Sequence, residues 1–371
     1  MTTFTQIHML TSYPPANLNR DDLGRPKTCV VGGALRLRIS SQSLKRAWRT
    51  STVLEDALAG SLGTRTKEMG RRVHEALTGG VTLADAMQGA RSGGALATVD
   101  PKKARDWAHK TMAAYGTLKI SKYNEKKPND YLDMETMVHF SPAEIAALSD
   151  LTESMRQGTA PAKEAIDGLL RGREAAHAAD IAMFGRMLAT RQGHAVEAAV
   201  QVAHAFSVQQ VAVESDFFTA VDDLNLREED AGAGHMGETE FAQGLFYTYI
   251  CVDTALLAEN MADSAQSGRA LRALVEAAAT VAPSGKQNSF GSRAYASYVL
   301  AEKGSRQPRS LAVAFLAPVR GTDMLTNAIK AIESTAANLD TAYGPCADAT
   351  YVMDIPNGKG TLAGLLDFVE D

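Results

Sequence analysis

Arg36-Leu37-Arg38-Ile39-Ser40-Ser41-Gln42-Ser43-Leu44-Lys45-Arg46-Ala47-Trp48-Arg49 carries a strand, a helix start and a cationic helix face in one short run. Leu35, Leu37 and Ile39 alternate with Arg36, Arg38 and Ser40, the period-two pattern of a strand. Ser40 or Ser41 then supplies an N-cap hydroxyl, and a helix follows. At about 100° per residue, Gln42, Lys45, Arg46 and Arg49 share one stripe, while Leu44, Ala47, Trp48 and Ser51 lie opposite. Such a helix buries Leu44 and Trp48 against a sheet and turns three cations outward. Its first N–H groups, beside serine hydroxyls, suit a phosphate. Arg36 and Arg38 lie on the strand face of Ser40, so they are expected to extend the same surface. The whole pattern suits a polyanion better than a single phosphate.

The charge distribution points the same way. The chain has 371 residues and a formal net charge of −5, which by itself argues against a nucleic-acid binder. Yet Arg20, Arg25, Lys27, Arg36, Arg38, Lys45, Arg46 and Arg49 crowd the first fifty residues, against only Asp21 and Asp22. A local patch outweighs the total, because exposed charges are screened beyond about 10 Å. A solvated amphipathic helix has the same spacing as α-helical cations on an RNA groove. The cations upstream and the scarcity of acids favour RNA or DNA. A second cluster, from Lys102 to Lys127, reads as a solvated helical face and a lysine-rich loop.

Composition is that of a globular protein, 45% hydrophobic and 22% charged, which excludes wholesale disorder, collagen and coiled coil. At about 150 residues per domain, the length fits two domains or one domain with insertions. No apolar run is long enough for a membrane span. No secretory pattern opens the chain. Cys29, Cys251 and Cys346 lie far apart and form no zinc or disulfide spacing. Together these predict a cytoplasmic protein.

Further strands are predicted at Thr5–Met9, stopped by Tyr13-Pro14-Pro15, and at Asp180–Met187 with a turn at Gly185. Leu245–Val252, Ala294–Leu300 and Leu311–Leu316 also read as strands. Helices are predicted over Val196–Phe206, Ala270–Val281 and Asn327–Leu339, and Leu224–Gly237 reads as an acidic loop. The stretch from 52 to 180 is mostly helical and polar, and reads as an insertion rather than a core. Strands and helices interleave at both ends, which predicts an α+β fold.

Catalytic signatures are scarce. There is no HExxH, Walker loop, GxSxG or dinucleotide fingerprint, and His74-Glu75 has no second histidine at ligand spacing. Asp21-Asp22 beside Arg20 could hold a divalent metal for phosphodiester cleavage. Adjacent loop aspartates more often form turns or ion pairs. Asp216, Asp222 and Asp223 read as caps and loop charges. No catalytic residue, metal or cofactor is assigned.

The chain closely resembles the CasC (Cas-seven) backbone-subunit family of type I-E CRISPR Cascade. The resemblance rests on Ile7-His8, Leu18-Asn19-Arg20-Asp21-Asp22, Gly32-Gly33 and the run Arg38 to Ala47. It returns at Gly185-Arg186-Met187, Asp216 to Leu224, His235-Met236-Gly237 with Glu240-Phe241, Phe246 to Tyr249, and Gly285-Lys286-Gln287. It implies a modified RNA-recognition (ferredoxin-like) palm with a helical fingers insertion and a thumb. The implied palm covers 1–51 and 236–371, the fingers 52–179 and the thumb region 180–235. The small-domain RNA-recognition signature is itself absent.

The resemblance further implies that such subunits polymerise along the spacer of a CRISPR RNA and hold it for pairing with target DNA. Expected partners are the CRISPR RNA, target DNA paired to the guide, copies of the chain in a helical array, and the large, small, Cas-five and Cas-six type Cascade subunits. No membrane is among them. By motif match, Arg20, Lys27, Ser40, Gln42, Lys45, Arg46 and Arg49 grip the RNA backbone. Met187 and Phe218 fall at the thumb positions that displace a nucleotide, Arg186 beside Met187 is taken as RNA-binding with them, and Lys286 and Gln287 fall at a further RNA-contacting loop. On residue type alone, Met187 and Phe218 read more as core packing than as base wedges. Lys163, Arg171 and Arg173 are candidates for DNA contact. The competing function is a metal-dependent endoribonuclease, as in type III relatives, with Asp21 or Asp22 as the metal-binding acid. Phosphate contacts and base stacking are both indifferent to sequence, which suits a protein that carries many guides.

Overall fold

The computed structural model describes residues 3–171, 177–188, 192–220 and 235–371. The first half runs β1 (Phe4–Ala16), β2 (Thr28–Val31), β3 (Ala34–Ile39), α1 (Ser41–Arg49), α2 (Thr52–Ala57), β4 (Thr64–Thr66), α3 (Met69–Gly79), α4 (Leu83–Met87), α5 (Pro101–Met112), β5 (Val138–Phe140), α6 (Pro142–Arg156), α7 (Lys163–Asp167) and α8 (Ala179–Phe184). The second runs β6 (Val200–Val202), β7 (Ala205–Ser207), β8 (Glu214–Ala220), β9 (His235–Asp253), α9 (Thr254–Met261), α10 (Ser264–Thr280), α11 (Gln287–Phe290), β10 (Ala296–Gly304), α12 (Met324–Tyr343), β11 (Ala349–Asp354) and α13 (Leu362–Glu370). The fold is α+β with a large antiparallel sheet. It divides into two compact units, Met1–Ala57, Val200–Ala255 and Gly268–Asp371 in the first, and Leu58–Ala199 with Leu256–Ser267 in the second.

The sheet of the first unit has the strand order β11-β10-β1-β9-β7-β3-β2, with β6 and β8 also paired to β9. The described pairings are antiparallel. Residues 5–11 of β1 are buried on both faces, as a central strand must be. On one face Leu10, Tyr247, Tyr298 and Leu300 pack with Ile329 and Ile332 of α12. The length of β9 lets its later part pair with β1 while its start forms a hairpin arm with β8. Every residue of β8 is exposed.

A buried polar chain crosses this sheet. His8 Nδ1 accepts from the Tyr247 hydroxyl at 2.9 Å, and Nε2 faces Glu302 Oε2 at 3.2 Å. Only the Nε2-protonated tautomer satisfies both contacts, since the carboxylate has no hydrogen to give. Arg309 grips the same carboxylate through both terminal nitrogens. Burial would raise the Glu302 carboxyl, but the hydrogen bonds from His8 and Arg309 outweigh it and hold its pKa at about 2. Burial also pushes the His8 imidazole below its ordinary value.

The second unit has a core of its own. Met69, Val73 and Leu77 of α3, Ala108 and Met112 of α5, and Leu148 and Met155 of α6 close around Phe140. The polar stretch 52–180, read as lacking a core, therefore buries one. Most of its charges are solvent-facing and masked the apolar stripe in the sequence, though Asp133, Glu144, Arg156 and Asp180 are buried with it. Ser141 and Glu144 form a capping box at α6, and the Arg156 guanidinium donates to the carbonyls of Ala76, Val81 and Ala97. Among the described residues no helix is long and apolar enough to cross a membrane.

Several local expectations are corrected. Asp180–Met187 is not a strand: α8 occupies its start, and a short apolar run has too few residues to show its period. Val196–Phe206 is not a helix. Val200 and Val202 pair with Val252 and Ile250, and tertiary pairing overrides the alanine content. Leu311–Leu316 holds a 3-10 turn over Ala312–Phe315, with Phe315 buried. Tyr13-Pro14-Pro15 does not stop β1, which continues to Ala16. Pairing with β10 ends at Thr11, so the prolines need no donor on that side, and pairing with β9 skips from Tyr13 to Ala16. Of the acidic loop Leu224–Gly237, residues 224–234, with Asp222 and Asp223 just before them, lie outside the described residues. Its last three residues begin β9.

Candidate nucleic-acid interface

The α1 face forms as its spacing predicts. Leu44 and Trp48 are buried, Gln42 and Arg46 are exposed, and Lys45 and Arg49 are half-buried. Ser40 is the N-cap, and its hydroxyl accepts the N–H of Ser43 at 3.3 Å. That role leaves the hydroxyl inside the cap rather than projecting from it. Basic residues Arg46 and Arg49 end the helix, where the dipole favours them. Desolvation lowers the pKa of Lys45.

The polar loop 17–27 is rigid by construction. Asp21 Oδ1 accepts the N–H groups of Leu23 (3.0 Å) and Arg25 (2.8 Å), and Gly24 takes the left-handed conformation that the turn requires. Asn17 is buried and donates to the carbonyls of Gly24 and Glu240, each at 2.9 Å, which ties the loop to β9. Asn19 Oδ1 accepts the Ser40 N–H at 3.0 Å, which ties it to α1. Lys27 N donates to Asn19 O, and Lys27 O accepts from Arg38 N, both at 2.8 Å. Loop, strand and helix start are thus one hydrogen-bonded frame.

On that frame Arg20 and Arg46 are exposed, and neither has an ion-pair partner among the described residues. Lys27 and Arg38 also lack an acidic partner among the described residues. Arg38 Nη1 instead meets His204 Nδ1 at 2.8 Å. Arg36 is a correction. It is fully buried, and its guanidinium donates to the carbonyls of Ser207, Val208 and Phe315. It stitches β3 to Ser207, Val208 and the 3-10 turn at Phe315 instead of extending the cationic surface.

Gly285-Lys286-Gln287 belongs to the same neighbourhood. A Cβ on Gly285 would lie 2.2 Å from the Leu18 carbonyl oxygen, so the segment lies directly on the loop. Lys286, at φ +47°, donates its Nζ proton to Thr239 Oγ1 at 2.7 Å, and Gln287 Nε2 donates to Pro283 O. Phe290 meets Phe241 with ring centroids 6.0 Å apart. These contacts brace the base of the β8–β9 arm. On the arm Phe218 is paired with Gly237, and its ring fills the space a side chain at 237 would take. Phe217 and Met236 are exposed on the arm's other face.

Arg186 and Met187 lie in the second unit. Met187 is 84% exposed, which removes the core-packing reading. Arg186, expected at an RNA surface, is only 4% exposed and is a correction. Its Nη1 bonds both oxygens of the buried Glu144, at 2.9 and 2.7 Å, and its backbone pairs with Val196. The guanidinium holds the turn that presents Met187. Lys163 and Arg171 are exposed, and Arg173 lies outside the described residues. Lys119 in the lysine-rich stretch is ion-paired with Asp130 at 3.0 Å.

Sequence reasoning missed Asn17, Asn19 and His204. The two asparagines carried a signal, being turn-formers in a loop between strands. His204 carried none, because its segment read as a helix. Among the described residues no group of three or more His, Cys, Asp or Glu side chains is placed to hold a metal ion.

The family model for CT1975-like protein matches residues 5–363. Two solved structures are similar over the length of the chain. One is a subunit of a "CRISPR RNA-guided surveillance complex, pre-nicking", 28% identical, covering 99% of both chains at a TM-score of 0.80. The other is a subunit of a "CRISPR RNA-guided surveillance complex", 25% identical, covering 99% of this chain and 98% of that one at a TM-score of 0.58. No curated protein gives a significant match.

Proposed function

This chain belongs to the CT1975-like protein family, and from that premise we propose that it is the CRISPR RNA-binding backbone subunit of a Cascade-type surveillance complex, of type I-E. The end-to-end likeness to subunits of CRISPR RNA-guided surveillance complexes supports this reading. The observation that carries it is the frame of loop 17–27, β3 and α1. In a chain of net negative charge it sets Arg20, Lys27, Arg38 and Arg46 on one unit without acidic partners among the described residues. Backbone and asparagine hydrogen bonds fix where these side chains start, and no carboxylate among the described residues competes with a phosphate for them.

The chemistry is that of a grip. Arg20, Lys27, Gln42, Lys45, Arg46 and Arg49 meet sugar–phosphate groups, releasing counterions and reading no base. The β8–β9 arm, with Phe218 and the bracing Lys286 and Gln287, and the Met187 turn supply apolar surfaces for stacking, worth about 1–3 kcal/mol per base. Arg186 acts by positioning Met187. The first unit serves as an RNA-recognition-like palm and the second as fingers. Copies follow one another along the spacer, which requires head-to-tail interfaces. The guide is then open for pairing with target DNA, and other Cascade subunits close the array.

We propose a scaffold and not an endoribonuclease. Asp21, the acid nearest the frame, already accepts two loop N–H groups through Oδ1, which supports a structural role for it. The test is assembly on RNA. Purified chain mixed with CRISPR RNAs of increasing spacer length should load more copies on longer spacers, with little sequence preference and no stepped cleavage of complementary RNA in Mg²⁺. One copy whatever the length, or stepped products, would overturn the reading.

A further inference from the structure

His204 lies on the short connection between β6 and β7, exposed beside the cationic frame. Its Nδ1 is 2.8 Å from Arg38 Nη1, and a guanidinium can only donate, so His204 accepts there as a neutral imidazole. The charged groups acting on it are Arg38 from β3 and Lys27 from the loop before β2, and no acid is among them. Lys27 and Arg38 are themselves joined through the backbone, Arg38 N donating to Lys27 O at 2.8 Å. Three basic residues from three segments therefore lie together, and no acid among the described residues acts on His204.

We propose that Lys27, Arg38 and His204 form a phosphate subsite that takes up a proton when it is filled, with His204 becoming a third cationic donor to the RNA backbone. The inference rests on the RNA-binding reading above and adds to it a residue and a proton. An incoming phosphate breaks the Arg38–His204 contact, since Arg38 turns its N–H groups to the oxygens. It also cancels the repulsion that two cations exert on an imidazolium. The freed Nδ1 then takes a proton and donates it as a hydrogen bond to a phosphate oxygen.

The sign follows. In the free protein, desolvation first, then Arg38 and Lys27, lower the His204 pKa. Bound phosphate raises it. Binding therefore takes up a proton between the two values, and affinity falls as pH rises through that window. One proton lowers the association constant by at most about tenfold per pH unit.

The experiment measures binding of fluorescent single-stranded oligouridylate at fixed ionic strength, from about pH 5.5 to about pH 8. It compares the wild-type chain with His204→Gln and with Lys45→Ala/Arg46→Ala. The wild type should lose several-fold affinity as pH rises, and His204→Gln should be flatter over the same range. The helix variant should bind weakly at every pH yet keep the wild-type slope. His204 is exposed, so its substitution leaves the fold intact. Identical pH profiles for wild type and His204→Gln would overturn this inference alone. Absence of RNA binding at any pH would overturn both it and the function it rests on.

Discussion

Asn19 Oδ1 accepts the backbone N–H of Ser40 at 3.0 Å, so the side chain of a loop residue fixes the residue that caps helix α1. The link joins Arg20 and Lys27 to Gln42, Lys45 and Arg46 in one rigid unit. Asn19→Ala leaves the Ser40 N–H without its acceptor, at a cost of about 1 kcal/mol. The expected outcome is a small fall in melting temperature with a larger fall in RNA affinity, because the loop cations lose their register with the helix. Calorimetry and RNA titration of the same variant check it.

Two arginines ten residues apart should separate stability from binding. Arg36→Ala removes a buried guanidinium and its bonds to the carbonyls of Ser207, Val208 and Phe315, of which Val208 O keeps the Val319 N–H, and should cost about 1–3 kcal/mol. Arg46→Ala removes an exposed side chain and should change stability by less than about 0.5 kcal/mol. In RNA titrations across salt, Arg46→Ala should lower the slope of log K against log[salt] by about 1.

The pair Arg186–Glu144 makes a parallel prediction for the second unit. Arg186→Ala leaves a buried carboxylate unpaired and should destabilise that unit by about 3–5 kcal/mol. Met187→Ala removes an exposed side chain and should leave the melting temperature unchanged. Nuclease footprints of RNA in the assembled particle should change for Met187→Ala although its fold does not.

Acid should weaken the first unit in two stages. His8 is buried and neutral, its pKa pushed down by burial, so the unfolded chain binds the proton more readily. Stability from this group is complete above its ordinary value of about 6.5 and is lost as pH falls below it. Glu302, held at about 2, adds a loss that sets in below the ordinary carboxyl range. Melting temperature should therefore fall between about pH 7 and about pH 5. His8→Gln, at lower overall stability, should flatten that first stage.

What the sequence revealed depended on whether a pattern was local. The alternation of Leu35, Leu37 and Ile39 and the helical stripe of α1 are set by near neighbours, and both appear as predicted. Val196–Phe206 was misread because its strand character comes from Val252 and Ile250, some fifty residues on. Arg36 was misread because residue type says cation, whereas its burial follows from a turn at Phe315 far along the chain. The cations of the binding frame were legible as a cluster. The asparagines that organise them, and His204 beside Arg38, became visible only once the loop, β3 and β7 came together.

The most direct test is photo-crosslinking of a CRISPR RNA carrying 4-thiouridine throughout its spacer to the assembled chain, with the joined peptides identified by mass spectrometry. Adducts should concentrate on peptides of loop 17–27, α1 and the β8–β9 arm, whatever the spacer sequence. Adducts confined to other surfaces, with none on α1 or the loop, would contradict the account.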